Sequence, residues 1–466
     1  MDSSPASSGH FAARKLLQSF VTSDEFSQTV DTIYQLSAAF LVLFLQAGFT
    51  ALEVGATRPA SAKSIVGRNL LLLVIGAFVW WFVGFAFAQG TGEGENANGF
   101  IGVEGFLTHK YQPTPEDNFS AYSIIPSFES WSEWFYQWTV ASAANAIIAG
   151  AISERCTLSG HIIYTIFFLG FFYPVVVHWV WSTQGWLSAF FEPFDDDWKV
   201  IKTGLMDYSG SLVIFVSGGT FAFVGSLMTG PRIGRFTESG PKELPASSPM
   251  LIGLGTIFLW FGWYGLTSGR APASQGMFDV AAKVSVVTTM AASGAGFLTY
   301  LIDLLAYKSE LNVLSIATGV LSGLVSINAG VAGVEPWAAV VIGACAAVIV
   351  KSWVAFTALL KLDDPVNAIA IYFGCGLWGV FAASLWATET NTNAAFPADM
   401  NYGAFYGGGG DLVGTAIIGV FAVLAWMTLG AMVTFGLLKC AGSLRIQRDV
   451  EVETYRLADE HANKAL

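Results

Sequence analysis

The sequence predicts an all-α integral membrane protein with eleven transmembrane helices. Hydrophobic residues make up 54% of its 466 residues, charged residues only 12%, and the mean hydropathy is +0.56. Soluble proteins carry about 25% charged residues, so this composition indicates a chain that crosses a bilayer many times. An apolar run of about 20 residues spans the hydrocarbon core. The runs fall at 32–55, 69–90, 132–152, 159–182, 208–229, 249–268, 280–307, 311–331, 336–360, 366–388 and 412–438.

Basic residues indicate how these helices are oriented. Lysine and arginine follow spans one, three, five, seven, nine and eleven, and loops rich in them face the cytoplasm. We therefore expect an extracellular N-terminal tail at 1–31 and a cytoplasmic C-terminal tail at 439–466, which is either solvated or packed beneath neighbouring subunits as a regulatory arm. The orienting residues are Arg58, Lys63, Arg68, Arg155, Arg232, Arg235, Lys242, Lys308, Lys361, Lys439, Arg445 and Arg448.

Two stretches of the chain match each other. Asp207-Tyr-Ser-Gly-Ser-Leu-Val-Ile-Phe215 and Asp364-Pro-Val-Asn-Ala-Ile-Ala-Ile-Tyr372 each run from an acid through mainly apolar residues to an aromatic. Aspartate is a good N-cap because its carboxylate accepts hydrogen bonds from exposed backbone N–H groups. We therefore expect each acid to begin a helix, with the aromatic about 12 Å inside it. If the two helices enter from opposite faces, Phe215 and Tyr372 meet near the middle of the membrane.

The match extends to the glycines Gly219 and Gly376, which lie at the same distance after the two acids. Spans five and ten, which carry the two stretches, run in opposite directions in the predicted topology. Matched segments of opposite direction are typical of an inverted repeat, whose pathway lies between the two halves. The predicted membrane domain, 32–438, therefore consists of one repeat at about 32–229, a second at about 249–388, and an eleventh helix at 412–438.

Motifs along nearly the whole chain resemble the ammonium transporter/methylammonium permease/Rhesus family, and the plant-type branch is the most similar. The resemblance implies a homotrimer with one narrow pore for a small solute through each subunit. The motifs are Gln46-Ala-Gly-Phe-Thr-Ala-Leu-Glu53, Tyr136-Gln-Trp138, Glu154-Arg155, Tyr173-Pro174, His178-Trp-Val-Trp181, Asp207-Tyr-Ser-Gly210, Trp260-Phe-Gly-Trp-Tyr-Gly265, Asp363-Asp364-Pro365 and Gly374-Cys-Gly-Leu-Trp-Gly379.

The residues that the resemblance places along the pore depart from the family's pattern. In the family, a tryptophan, a serine and two phenylalanine gates recruit ammonium by cation–π attraction and a hydroxyl acceptor, above a pair of pore histidines. The tryptophan is kept as Trp181, and the capping acid as Asp207. The first and second gates correspond to Val140 and Leu266, the serine to Arg270, and the two histidines to Phe215 and Tyr372. A histidine-mediated proton route is therefore absent from these positions.

Several side chains keep two interpretations. Arg270 is either a rim arginine, snorkelling or paired with an outer-loop acid, or a fixed cation at the pore mouth; about 6 Å from an ammonium ion it would repel that ion by roughly 2–3 kcal/mol. Phe215 and Tyr372 either plug the pore or leave the Tyr372 hydroxyl to contact a solute. Asn145 either bonds helices together or lines the pore.

Three functions follow from these alternatives. The protein passes ammonium or ammonia by a histidine-free route, or it transports another small anionic, zwitterionic or neutral solute selected by Arg270, or it is a non-conducting sensor or assembly subunit. We expect no catalytic residues, cofactor, metal site or nucleic-acid partner, and membrane lipid as the surroundings. Asn118-Phe-Ser120, in an outer loop, is a possible glycosylation site. The most fitting location is a eukaryotic plasma membrane.

Overall fold

The computed structural model describes residues 23–90, 98–108, 131–190, 203–270, 278–307, 311–396, 400–454 and 456. Within these ranges the fold is helical apart from a two-residue pairing of β1 (Phe236–Thr237) with β2 (Gly240–Pro241). The helices are α1 (Ser23–Ala56), α2 (Pro59–Gln89), α3 (Trp131–Ala151), α4 (Leu158–Trp181), α5 (Ser211–Thr229), α6 (Pro249–Ser268), α7 (Phe278–Tyr307), α8 (Val313–Ile327), α9 (Pro336–Leu359), α10 (Ile369–Trp386), α11 (Glu389–Ala395) and α12 (Asp411–Cys440).

Nine helical segments in the described ranges are long and apolar enough to cross a membrane. They belong to α1, α2, α4, α5, α6, α7, α9, α10 and α12, whereas α8 is a shorter apolar helix. These nine segments confirm the all-α membrane character that the composition predicts. Some predicted bounds were wrong: α1 begins at Ser23 and α2 at Pro59, before the apolar runs begin. Hydropathy detects the apolar part of a helix and misses its polar ends.

The two halves pack through corresponding helices. α1 lies along α6 in the most extensive contact of the fold, α1 also contacts α3 as α6 contacts α8, and α3 contacts α5 as α8 contacts α10. Glycine permits the close approach of α1 and α6, because a Cβ added at Gly255 would lie 2.5 Å from the backbone nitrogen of Leu52. Small residues are typical of closely packed membrane helices.

A buried ion-pair network joins the loops at one end of the helices, here called the Asp363 end. Arg232 donates to both carboxylate oxygens of Asp363, at 2.7 and 3.0 Å, and also pairs with Glu154, which in turn pairs with Arg58 at 2.8 Å. Burial alone would raise the pKa of Glu154 and Asp363. The charges and hydrogen bonds of the neighbouring arginines outweigh this effect and hold both pKa values below their usual range. The network therefore fixes the loops after α1, α3, α5 and α9 to one another.

The segment after α12 docks at the same end. Arg445 donates to the carbonyls of Thr229 and Pro231 at 2.8 and 2.7 Å and pairs with Glu451. Glu451 is 1% exposed and accepts a hydrogen bond from the backbone N–H of Ile233. Arg445 and Glu451 therefore hold residues 441–454 on loops of their own chain. Of the two alternatives for the tail, solvated or packed beneath neighbouring subunits, the solvated one does not describe the buried Glu451.

Candidate solute pathway

The two matched acids hold the starts of α5 and α10 in the same way. Asp207 Oδ2 accepts hydrogen bonds from the backbone N–H groups of Leu212 and Val213, and Asp364 Oδ2 accepts one from Ile369. Each acid therefore reaches the amide five residues ahead, and the helices begin at Ser211 and Ile369 rather than at the acids. The predicted starts were too early because the acids cap across an intervening turn.

The environments of the two capping acids raise their pKa values. Burial raises the pKa of Asp207 to about 6, although the backbone N–H groups that it accepts and the charge of Arg270 oppose the shift. Burial likewise raises the pKa of Asp364. Removing a carboxylate from water disfavours its charged form, so the hydrogen bonds recover only part of the cost of these buried caps.

The matched glycines lie where the two helices cross. A Cβ on Gly219 would lie 2.6 Å from the backbone nitrogen of Phe373, and a Cβ on Gly376 would lie 2.9 Å from Cγ2 of Val216. Each helix therefore uses its glycine to approach the other. α5 begins with a π-helical turn over Ser211–Val216, and α10 begins with one over Ile369–Gly374.

The π-helical turns bring Phe215 and Tyr372 together in a buried column of aromatic rings. Their ring centroids are 5.7 Å apart with an angle of 18° between the planes, and Phe215 stacks on Trp263 at 5.0 Å and 7°. The ring centroid of Phe49 lies 6.2 Å from that of Tyr372, with an angle of 53° between the planes. We call these four residues the aromatic column. Trp263, Phe215 and Tyr372 are each at most 2% exposed, so the rings fill the space between the two halves.

The column offers little chemistry for proton transfer. Phe49 and Phe215 have no ionisable group, and the Trp263 N–H donates to the side-chain oxygen of Asn328 at 2.9 Å. The Tyr372 hydroxyl is buried and has no hydrogen-bond partner among the described residues. It is therefore the one polar atom of these four side chains that remains available to a solute in the part of the chain that is described.

Arg270 lies over the indole of Trp181 at the other end of the helices, here called the Arg270 end. Its guanidinium carbon is 4.2 Å from the centroid of the Trp181 ring and 5.4 Å from that of Phe190. The indole is itself fixed, because its N–H donates to the carbonyl of Asp207 at 2.8 Å. Arg270 Nη1 is buried without a hydrogen-bond partner in the described ranges. Arg270 thus lies as a cation on the aromatic face of Trp181.

The other two residues at the predicted gate positions are aliphatic and buried. Val140 in α3 and Leu266 in α6 are each 1% exposed. The Tyr136 hydroxyl donates to the backbone carbonyl of Leu266 at 3.0 Å, which ties α3 to α6 one turn from Val140. These positions carry no aromatic ring that could stack on a cation.

A buried acid at the Arg270 end was missed by the sequence analysis. Glu133 is 3% exposed and accepts hydrogen bonds from the side-chain amides of Gln35 and Gln137. Its charge and that of Arg270 interact, so a buried acid lies near the cation on Trp181. An acid near the start of a Trp-rich apolar run is the signal that could have singled it out.

The remaining predicted residues lie elsewhere. Asn145 donates to the Thr165 hydroxyl at 3.1 Å and accepts from it at 3.3 Å, so it joins α3 to α4 and is outside the aromatic column. Of its two interpretations, the helix-bonding one describes this contact. Asn118 lies outside the described residues.

The sequence profile described as "Ammonium Transporter Family" matches residues 33–465. The chain belongs to this family. It is 34% identical over 442 residues to Ammonium transporter 1 member 3 of Solanum lycopersicum, covering 91% of each chain. It is 35% identical over 435 residues to Ammonium transporter 3 of Dictyostelium discoideum, again covering 91% of each.

Solved structures of the Ammonium Transporter Family share its fold. One described as "Sensor Amt Protein" aligns with a TM-score of 0.77 and 28% identity, covering 92% of this chain and 97% of that one. Candida albicans Mep2 aligns with a TM-score of 0.77 and 24% identity, covering 92% and 89%, and at that identity the likeness concerns the fold alone. The family contains transporters and sensors rather than enzymes, so the resemblance seen in the motifs is confirmed and the protein is not an enzyme.

Proposed function

We propose that this family member is a gated, histidine-free transporter of ammonium or ammonia. The solute enters at Trp181, passes Val140 and Leu266, and moves between the two halves along Phe215 and Tyr372. The described arrangement is the closed state of that pathway. Membership of the family, whose relatives above are named ammonium transporters, supports the substrate.

The contact between Arg270 and Trp181 carries this proposal. A guanidinium 4.2 Å from the ring centroid occupies the kind of site in which an aromatic face attracts a cation. An incoming ammonium ion must therefore displace Arg270 before it can use the same face.

A non-conducting sensor is the second candidate, and the aromatic column favours it. Rings that stack at 5.0 and 5.7 Å leave no opening for a solute between them. In a sensor, ammonium would displace Arg270 from Trp181 and change the outer site without passing the column. The "Sensor Amt Protein" supports this alternative, because it shares the fold at 28% identity.

Growth of yeast that lacks its own ammonium permeases separates the two candidates. The full chain and Arg270→Ser should both restore growth on low ammonium if the protein transports, with Arg270→Ser effective at lower concentrations. If the protein is a sensor, neither the full chain nor Arg270→Ser should support growth. Only the triple variant with Phe215→His, Tyr372→His and Arg270→Ser could then restore growth. Glu453→Gln, on an exposed ion pair of the C-terminal segment, is a matched control for expression and surface delivery.

We also propose the finer architecture. It comprises eleven spans in a membrane domain at 32–438, an inverted repeat, an extracellular N-terminus, a cytoplasmic Asp363 end, and a homotrimer in a eukaryotic plasma membrane. The corresponding helix pairs of the two halves support the repeat. Enzymatic deglycosylation that shifts the wild-type band, but not that of Asn118→Gln, would support the outer position of that loop, and light scattering of the purified protein would test the trimer. A monomer in mild detergent would contradict it.

A further inference from the structure

A small recess lies among α1, α2 and α3, and none of the four residues of the aromatic column lines it. Its polar lining consists of Gln46 in α1, Asn69 in α2, and Ser142 and Asn145 in α3, and Leu169 of α4 forms part of its apolar wall. The centre of a water-sized molecule has about 10 Å³ of room in it, which is close to what a single buried water requires. The recess therefore fits one small molecule.

Two polar atoms in this recess lack a protein partner. Ser142 is 5% exposed, and its hydroxyl is buried without a hydrogen bond to any described residue. The side-chain amide nitrogen of Gln46 is likewise buried without a hydrogen bond to any described residue. By contrast, Asn145 already exchanges hydrogen bonds with Thr165 in both directions. A buried polar group without a partner is costly, most of all inside a membrane, so a bound polar molecule would stabilise Gln46 and Ser142 here.

The two atoms define the chemistry of that molecule. The Gln46 nitrogen can only donate, so the molecule must accept a hydrogen bond, while the Ser142 hydroxyl can donate or accept. An ammonium ion has no lone pair and does not satisfy the Gln46 nitrogen. We propose that the recess binds one neutral, water-sized molecule that both accepts and donates a hydrogen bond, namely ammonia or water. Ammonia as the ligand rests on the proposed function, whereas the site itself does not.

The recess adjoins a buried polar cluster. Asn69 donates to Glu53 at 2.9 Å, and Glu53 forms an ion pair with Arg68. Arg68 Nη1 lies 3.3 Å from a ring nitrogen of His161. Ionisable residues inside a membrane domain are rare and mark functional sites by default. Polar side chains thus continue from Asn69 in the recess to His161, and none of them belongs to the aromatic column.

Thermal unfolding of the purified full chain tests this site. Sodium chloride is exchanged for ammonium chloride at constant concentration, once near neutral pH and once in alkaline buffer, where more of the total is ammonia. The variants are Ser142→Val, which removes the hydroxyl and fills the recess, and Ser142→Ala, which only removes the hydroxyl and serves if the valine variant does not fold. The matched control is Ser384→Ala, because the Ser384 hydroxyl is buried but donates to the Phe381 carbonyl of its own helix at 2.8 Å.

In alkaline buffer, ammonium chloride in place of sodium chloride should raise the midpoint of thermal unfolding by about 1–3 °C if ammonia is present at ten times its Kd. We expect this rise for the wild type and for Ser384→Ala. Ser142→Val should lose this rise. Trp181→Ala, which removes the aromatic face of the proposed entrance, should keep the rise, which separates this site from that entrance and from the outcome of the growth assay. A rise that Ser142→Val retains, or one that is equal near neutral pH, would overturn the proposal.

Water is distinguished from ammonia by a high-resolution map of the wild type in ammonium-free buffer. Density in the recess without any ammonium-dependent rise identifies water as the ligand. If the map shows no density in the recess and the midpoint does not rise, the recess is empty and the site is refuted.

Discussion

Replacing Arg270 by serine should make the outer site bind ammonium more tightly. The guanidinium carbon is 4.2 Å from the Trp181 ring centroid, so an ammonium ion at the same ring would lie about 6–8 Å from the Arg270 charge for as long as Arg270 is not displaced. At an effective dielectric constant of 20, two unit charges at that distance repel by about 2–3 kcal/mol. Removing the charge should therefore lower the Kd for ammonium about 30- to 100-fold.

The assay is the thermal midpoint of the purified protein titrated with ammonium chloride against sodium chloride near neutral pH, where ammonium predominates. Arg270→Ser should show a saturable rise at concentrations that leave the wild type unchanged. Arg270→Lys keeps the charge and should behave like the wild type. Trp181→Ala, introduced together with Arg270→Ser, should lose the rise, because the aromatic face that attracts the cation is gone.

Two outcomes would refute the reasoning. If Arg270→Lys binds ammonium as tightly as Arg270→Ser, the charge is not what keeps the ion away. If Arg270→Ser and the wild type have the same Kd, ammonium does not use the Trp181 face. The serine variant itself should lose only about 0.5–2 kcal/mol of stability, the usual value of a cation–π contact, so unfolding should not obscure the result.

Three further changes have definite expected results, each read from unfolding or proteolysis of the purified chain. Asp363→Asn removes one of the two carboxylates that pair with the buried Arg232 and should cost about 3 kcal/mol, whereas Glu453→Gln on an exposed pair should leave the midpoint unchanged; an equal loss in both would contradict the network. Because the folded pKa of Asp363 lies below its usual range, its stabilisation should be complete above about pH 4 and lost as the pH falls further, and Asp363→Asn should remove that pH dependence. Phe215→Ala should cost about 3–5 kcal/mol by opening a cavity in the column, and a cost below 1 kcal/mol would show that the rings are loosely packed. Glu451→Gln should speed proteolysis within 441–454, since it loses the charge that holds this segment in place, and an unchanged rate would contradict a docked segment.

Much of the fold followed from the sequence because it depends on patterns that the sequence displays directly. The matched positions of Asp207 and Asp364 predicted two equivalent helix starts, and both acids do accept the amide five residues ahead. The starts themselves were misplaced, because hydropathy does not reveal that an acid caps a helix across a turn. The matched glycines Gly219 and Gly376 were noted as a pattern, but only the structure shows that each one admits the other helix.

The site was predicted less completely, since it depends on side-chain directions. The matched stretches and the predicted topology placed Phe215 and Tyr372 opposite each other, and the rings stack. They did not indicate that Trp263 extends the stack, because an aromatic in an apolar helix has no distinguishing pattern. Nor could the sequence decide between a rim arginine and a pore-mouth cation at Arg270, because that choice depends on where a long, flexible side chain comes to rest.

The π-helical turns at Ser211–Val216 and Ile369–Gly374 have a consequence for insertions and deletions. A π-helical turn holds one residue more than an α-helical turn, so losing a single residue there could relax it to an ordinary helix. Each residue of an α-helix turns the chain by about 100°, so such a deletion would swing Phe215 or Tyr372 away from its partner. The column therefore tolerates exchanges of residue type at these positions better than any change in the length of the turn that presents them.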